Sequence, residues 1–219
     1  MLAGFALCYQ CDLARSQADG LLADVVAPVA YAVKGERLAD DLRLYKSGRG
    51  GAEAASVRLR SMLAAFLRDH GDCVWRAAGM AVRPATVAVV PSGQGRPGPH
   101  PLTRIAASCV DLPMTELVAG PHGAARGRGV NVGWLRAVGP GAEALLVDDT
   151  WVSGGSAQSA AAALKLAGAA RVAVIVLGRH VDSADPRSAP LLRALGSLDS
   201  STVSAGTCCP CAALTPRAG

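Results

Sequence analysis

The sequence predicts an α/β domain built on a parallel sheet, and three observations carry that prediction. From Thr86 onward, short apolar runs are each followed by a Gly-rich loop and then by a helical pattern, which is how strand–helix–strand units read. The chain of 219 residues is 51% apolar and only 18% charged, enough for one large core and too apolar for a disordered segment. No repeat or long linker divides it. The organisation expected is one compact domain with four subregions: an N-terminal cysteine segment and edge strand (1–34), a helical subregion (35–80), the sheet core (81–207) and a cysteine tail (208–219).

The first twenty residues hold Cys8-x-x-Cys11 and little secondary-structure signal. Asp24 to Val33 alternates β-branched and small residues, broken by Pro28, and reads as an edge strand or an extended segment. Leu38, Leu42 and Tyr45 recur at helical spacing within Gly35 to Tyr45, and Val57, Met62, Leu63, Phe66 and Leu67 do so within Ala52 to His70. A Gly-rich turn at Ser47 to Gly51 separates these two helices. Thr86 to Val90 is the first strand of the sheet core, Pro91 to Pro99 its loop and Leu102 to Val110 the next helix. Met114 to Val118 reads as a second strand, followed by the polar stretch Ala119 to Gly129, a candidate lid. Ala144 to Val147 is a third strand, Ser156 to Ala167 its helix and Val172 to Leu177 a fourth strand. Helices should then cover both faces, with the ligand-binding loops at the carboxyl edge of the sheet.

The formal charge is +5, but its cations are scattered and lysine stands only at Lys34, Lys46 and Lys165. No basic stripe marks a nucleic-acid surface, so nucleic acid is disfavoured, while guanidinium forks suit small polyanions. The apolar N-terminus lacks the basic start and the length of a signal peptide, and the window Ala160 to Leu177 is interrupted by Lys165, Gly168 and Arg171. The expectation is a cytoplasmic protein without a membrane span; a homodimer is compatible with the sequence.

The most informative segment is Leu145-Leu-Val-Asp148-Asp149-Thr150-Trp151-Val152-Ser153-Gly154-Gly155-Ser156. Its glycines let backbone approach an anion, and successive N–H groups before a helix form a phosphate cradle to which Thr150, Ser153 and Ser156 add hydroxyls. Two carboxylates beside that cradle repel phosphate, so Asp148 and Asp149 should hold sugar hydroxyls or a divalent cation. The competing reading is an ordinary strand–helix turn whose acids merely cap the helix.

This segment resembles the phosphoribosyl pyrophosphate (PRPP) motif of type I phosphoribosyltransferases. The resemblance implies that fold, Mg²⁺ with the substrate, ribose binding by Asp148 and Asp149, and phosphate binding by the loop from Thr150 through Trp151, Val152, Ser153, Gly154 and Gly155 to Ser156. Leu44-Tyr45-Lys46-Ser47-Gly48 before an Ala-rich helix, Pro91 after a strand, and Arg128-Gly-Val-Asn131 before the motif are similar to the ComF-like branch, proteins linked to DNA uptake that also carry an N-terminal cysteine pair. Where that branch has Arg-Gly-aromatic-Asn-Gln, this chain has Arg96-Pro-Gly-Pro-His100-Pro-Leu-Thr-Arg104. The pyrophosphate grip therefore falls to Ser92, Gly93, Gln94 and Gly95, with Arg96 and Arg104 as further candidates. Lys46, Arg126 and Arg128 are the cations expected on the pyrophosphate, the two arginines with a catalytic role.

Cys8-x-x-Cys11 and Cys208-Cys209-Pro210-Cys211 have knuckle spacing at opposite ends of the chain. Cys8, Cys11, Cys208 and Cys211, with Cys209 spare, would close a tetrahedral zinc shell joining the termini; an iron–sulfur cluster or separate thiols are the alternatives. Cys73 and Cys109 read as small core residues. His70 is expected at the end of a helix, His122 in a surface loop, and no histidine has ligand spacing. Trp151 is the tryptophan placed to matter, because it lies inside the phosphate loop.

The reaction expected is displacement of pyrophosphate from C1 of PRPP by a nitrogen nucleophile, the acceptor being invisible in the sequence. Val152 stands where purine-salvage enzymes of this fold place an acid, which argues against hypoxanthine or guanine. The alternative is a PRPP-fold protein of reduced catalytic power, acting as a regulator or a DNA-uptake accessory.

Overall fold

A computed structural model describes residues 9–18, 20–92, 100–122, 129–139 and 143–196. Four parallel strands form the main sheet in the order β1-β6-β5-β2: β1 (Val25–Val33), β2 (Thr86–Val89), β5 (Glu143–Trp151) and β6 (Arg171–Val181). Pro28 lies in β1, which is an edge strand of this sheet, where proline is tolerated. The central strands β5 and β6 are almost wholly buried, as their continuous apolar runs require.

Helices cover both faces. On one side α2 (Arg37–Leu44), α3 (Ala52–Ala77) and α4 (Pro101–Cys109) pack against Leu145, Val147, Ala173, Ile175 and Leu177. On the other, α5 (Gly155–Leu166) presents Ala157, Ala160, Ala161 and Leu164 to Leu146, Val172, Val174 and Val176. The approach of α2 to β6 is so close that a Cβ added at Gly178 would collide with Leu42 and touch Ala32. Asp41 of α2 is 6% exposed and takes a two-pronged ion pair from Arg58 of α3, at 2.8 and 2.6 Å. The hydrogen bond from Arg58, then its charge, outweighs burial and holds Asp41 below the usual carboxylate range. This clamp fixes the C-terminal end of α2, where Tyr45 and Lys46 follow.

Several sequence expectations need correction. The N-terminal stretch contains a helix, α1 (Tyr9–Gln17), with no buried residue and hence no apolar stripe to announce it. It is held by polar contacts instead: Gln17 Oε1 accepts from the Val130 N–H at 2.8 Å. Helix α3 runs past His70 to Ala77, because Val74 and Trp75 continue its buried stripe, so His70 lies inside the helix and not at its end. The second expected core strand does not join the main sheet. Met114 makes an isolated parallel bridge to Val87, and β3 (Glu116–Ala119) pairs antiparallel with the unforeseen β4 (Leu135–Val138). Both β5 and β6 extend about one turn-length beyond their apolar runs, so Asp148 and Asp149 lie within a strand and not in the loop after it. A further helix, α6 (Ala189–Gly196), follows a 3₁₀ turn at Pro186–Ser188.

Candidate active site

The parallel strands β2 and β5 end side by side, and a cleft of about 410 Å³ opens at their carboxyl edge. Asp148, Asp149 and Thr150 of β5, Ser92 after β2, Ser156 of α5 and Lys46 after α2 all line it. Of the residues singled out from sequence, these come together in one place. Gly93, Gln94, Arg96, Arg126, Arg128, Cys8, Cys208, Cys209 and Cys211 lie outside the described residues.

The two adjacent carboxylates have different surroundings because side chains alternate along a strand. Leu145 and Val147 face α2 to α4, so Asp149 continues that row; Ala144 and Leu146 face α5, so Asp148 continues the other. Asp149 Oδ2 accepts from the Tyr45 hydroxyl at 2.5 Å and from Lys46 Nζ at 2.7 Å. Burial alone would raise the Asp149 pKa, but the charge of Lys46 and the hydrogen bonds from Lys46, Tyr45 and Thr150 outweigh it and hold the carboxyl low. For Asp148 the balance runs the other way. Burial first, and then the charge of Asp149, push it up to about 8 against the pull of the Asp149 and Thr150 backbone N–H groups and of Lys46. Near neutral pH the pair therefore presents one anionic and one largely protonated carboxyl, which can accept and donate hydrogen bonds respectively.

The phosphate-cradle half of the site is backbone. Gly154 caps α5 at φ +83° with no side-chain cap, and the first helical bond runs from the Gln158 N–H to the Gly154 carbonyl at 2.9 Å. The N–H groups of Gly155, Ser156 and Ala157 precede that bond, so they and the positive end of the helix dipole point out of the strand–helix turn. The Trp151 ring lies where a Cβ on Gly154 would be, packing the turn shut from one side. Trp151 is thus a buttress of the loop and not a projecting platform. Val152 is the exposed tip, 70% accessible.

Sequence reasoning missed two residues that line the cleft and one that supports it from behind. Tyr45 reads as a core position of α2 and is indeed 4% exposed, but its hydroxyl reaches Asp149. Arg43, one turn earlier in the sense of side-chain direction, lines the same cleft. His100, at the N-cap of α4, has a side chain only 10% exposed, with Nε2 3.9 Å from Asp149 Oδ2 and its ring edge-on to Tyr45. Its Nδ1 accepts from the Leu102 N–H at 3.3 Å, which assigns the proton of the neutral ring to Nε2, the nitrogen facing Asp149. The signal was available: His100-Pro101 is a cap followed by proline at the first helical position. His122, by contrast, is exposed in the turn after β3, with Nδ1 3.2 Å from the Val132 carbonyl oxygen.

The arms of the candidate lid are described up to His122 and from Gly129. They continue β3 and β4, and the second arm is moored by the Asn131 N–H, which donates to Ser159 Oγ of α5 at 2.8 Å. Cys11 is exposed on α1, whereas Cys73 and Cys109 are half-buried at the edge of the core. Among the described residues, no group of three or more His, Cys, Asp or Glu side chains is placed to hold a metal ion, and no helix is long and apolar enough to cross a membrane.

No protein-family model matches the chain, and no curated protein matches it. Among solved structures, it is similar to a purine phosphoribosyltransferase from Pyrococcus horikoshii Ot3, with a TM-score of 0.32 and 16% identity, over 60% of this chain and 89% of that one. At that TM-score the likeness fixes neither fold family nor function.

Proposed function

We propose that this protein is a phosphoribosyltransferase that binds PRPP and passes the phosphoribosyl group to a nitrogen nucleophile with release of pyrophosphate. The observation that carries this reading is the continuity of β5 and α5: an adjacent pair of buried carboxyls leads directly into a helix N-terminus with no side-chain cap. The 5-phosphate is held by the N–H groups at the start of α5 with Thr150 and Ser156, and the ribose hydroxyls by Asp148 and Asp149. Lys46 and Tyr45 keep Asp149 ionised and oriented. Cleavage at the anomeric carbon develops positive charge on the sugar, and pyrophosphate is already a good leaving group, so the protein's task is positioning and charge rather than strong acid. Arg43 and Lys46 in the cleft, Ser92 with Gly93 and Gln94 beyond it, and Arg126 and Arg128 on the segment between β3 and β4 supply that charge and grip.

The oxygen-only pair Asp148 and Asp149 fits a hard divalent cation such as Mg²⁺, and the raised Asp148 pKa marks a buried carboxyl whose charge a cation would stabilise. When bound, Mg²⁺ supplies neutralisation of pyrophosphate charge. The test is pyrophosphate release from PRPP and Mg²⁺ across a panel of nitrogen acceptors. Release that depends on the acceptor supports the transferase, and alanine at Arg126 and Arg128 should lower kcat more than it weakens PRPP binding. No PRPP binding rejects the reading. Binding without release with any acceptor supports the second reading, a regulatory PRPP-binding protein, which the bonds of Tyr45 and Lys46 to Asp149 favour by holding that carboxylate inside the protein.

A structural zinc on Cys8, Cys11, Cys208 and Cys211 is part of the same proposal; the exposed Cys11 thiol suits a ligand role. Metal analysis should find about one zinc per chain. Serine at Cys8 and Cys11 should release it and lower Tm, and metal-free protein with an unchanged Tm rejects the site.

A further inference from the structure

A second cavity of about 450 Å³ adjoins the first, and Lys46 lines both. Its walls are α4, whose N-cap His100 lies beside Asp149, and α3, whose first residue Ala52 lines the cavity with Lys46. Helix α3 contributes Glu53, Ser56 and Arg60, and α4 contributes Pro101, Arg104 and Ser108; each set recurs every three to four residues and so lies on one helix face. The Cys109 thiol donates to the Arg60 carbonyl at 3.5 Å, which places the third turn of α3 beside the C-terminal end of α4. The two helices therefore run outward together, and the groove has a polarity. Its inner end, next to Lys46, carries Glu53; Arg60 lines it farther out along α3, and Arg104 lines it from α4. From Glu53 to Arg60 the helix rises about 10 Å. None of these three side chains has a hydrogen bond or ion pair among the described residues, whereas Arg58 on the neighbouring face of α3 is fully engaged with Asp41.

We propose that this groove seats the acceptor, and that the acceptor is a small amine or amide bearing a carboxylate or phosphate. Its nitrogen lies inward, toward Glu53 and the acid pair, and its anion lies outward between Arg60 and Arg104. A guanidinium from each wall discriminates strongly for an anion over a neutral isostere, because each offers charge-assisted, directional donors. Glu53 accepts N–H bonds at the end where a nucleophilic nitrogen has to arrive. The assignment rests on the phosphoribosyltransferase reading for the identity of the reaction, but the ligand class rests on the groove alone.

The probes are 4-(aminomethyl)benzoate, 4-(aminomethyl)phenyl phosphate and the uncharged 4-(aminomethyl)benzamide, titrated by calorimetry into the full chain. At least one anionic probe should bind about tenfold or more tighter than the amide, and whether carboxylate or phosphate wins identifies the anion. Arg60→Gln with Arg104→Gln should abolish that preference. Equal binding of the three probes, no binding of either anion tighter than about 1 mM, or a preference that survives the double substitution overturns the proposal. Failure of the two readings is distinguishable. If PRPP does not bind but the arginine-dependent preference persists, the phosphoribosyl reading falls and the groove keeps its ligand class. If PRPP binds and the preference is missing, the groove assignment alone falls.

Discussion

Asparagine at both Asp148 and Asp149 should weaken PRPP binding by two to four orders of magnitude, about 3–6 kcal/mol for the loss of two hydrogen-bonding sites of charged or ionisable groups. The single substitutions separate binding from stability, because the carboxyls are perturbed in opposite directions. Asp148 is raised to about 8 by burial and by Asp149. Between the ordinary carboxylate pKa and that value, the folded state holds a proton that the unfolded chain has released. Stability is therefore lost progressively as pH rises from about 4 to 8 and the penalty is complete above that range. Asp148→Asn keeps an oxygen for the Asp149 N–H, bonded at 2.8 Å, and removes the penalty. Its Tm should match wild type near pH 4 and exceed it at pH 8–9 by at least about 2–4 °C, the shift that 1 kcal/mol produces in a chain of this size. Asp149 is the reverse case, held low by Lys46, so its contribution is present above the ordinary carboxylate range and fades as pH falls through its folded value. Asp149→Asn should lower Tm at neutral pH, leaving Lys46 without its 2.7 Å partner. Thermal melts across pH that show Asp148→Asn no more stable than wild type at pH 8–9 would reject a strained acid pair.

The parts of the fold legible in the sequence are those whose burial is continuous. Val172 to Leu177 is almost fully enclosed, and no surface strand produces so unbroken an apolar run. Strand β4 was not legible, since Leu135–Val138 is only four residues long and buries alternate positions, too brief a period to distinguish from loop. Helix α1 had no apolar face to read, because Gln17 holds the Val130 segment through hydrogen bonds that periodicity does not encode.

The same division holds for the site. Asp148, Asp149, Thr150 and Ser156 are neighbours in sequence, and their order before a helix is itself the signal. Tyr45 and Lys46 meet Asp149 from more than 100 residues away in the chain. Nothing local distinguishes Tyr45 from a core residue of α2; only the placement of α2 by the Asp41–Arg58 clamp aims its hydroxyl at the strand end. His100 shows how a departure from a family pattern hid a residue. The segment that lacks the expected aromatic and Asn instead ends in a capped helix start, which turns an imidazole toward the acid pair.

The cradle makes the sharpest demand on one residue. Gly154 sits at φ +83°, and a Cβ there would both adopt the left-handed conformation, at about 1–2 kcal/mol, and overlap the Trp151 ring. Gly154→Ala should therefore lower Tm by about 2–8 °C and weaken PRPP or ribose 5-phosphate binding by about tenfold or more, since the N–H groups of Gly155 to Ala157 are aimed by that turn. The two causes separate in a double-mutant cycle with Trp151→Ala. Removing the indole relieves the overlap but leaves the backbone conformation, so the alanine should cost less in the Trp151→Ala background than in wild type, though still more than nothing. Equal costs in both backgrounds would show that the ring does not constrain the turn. Undiminished phosphate affinity in Gly154→Ala, with the fold intact by circular dichroism, would remove the start of α5 from the binding site.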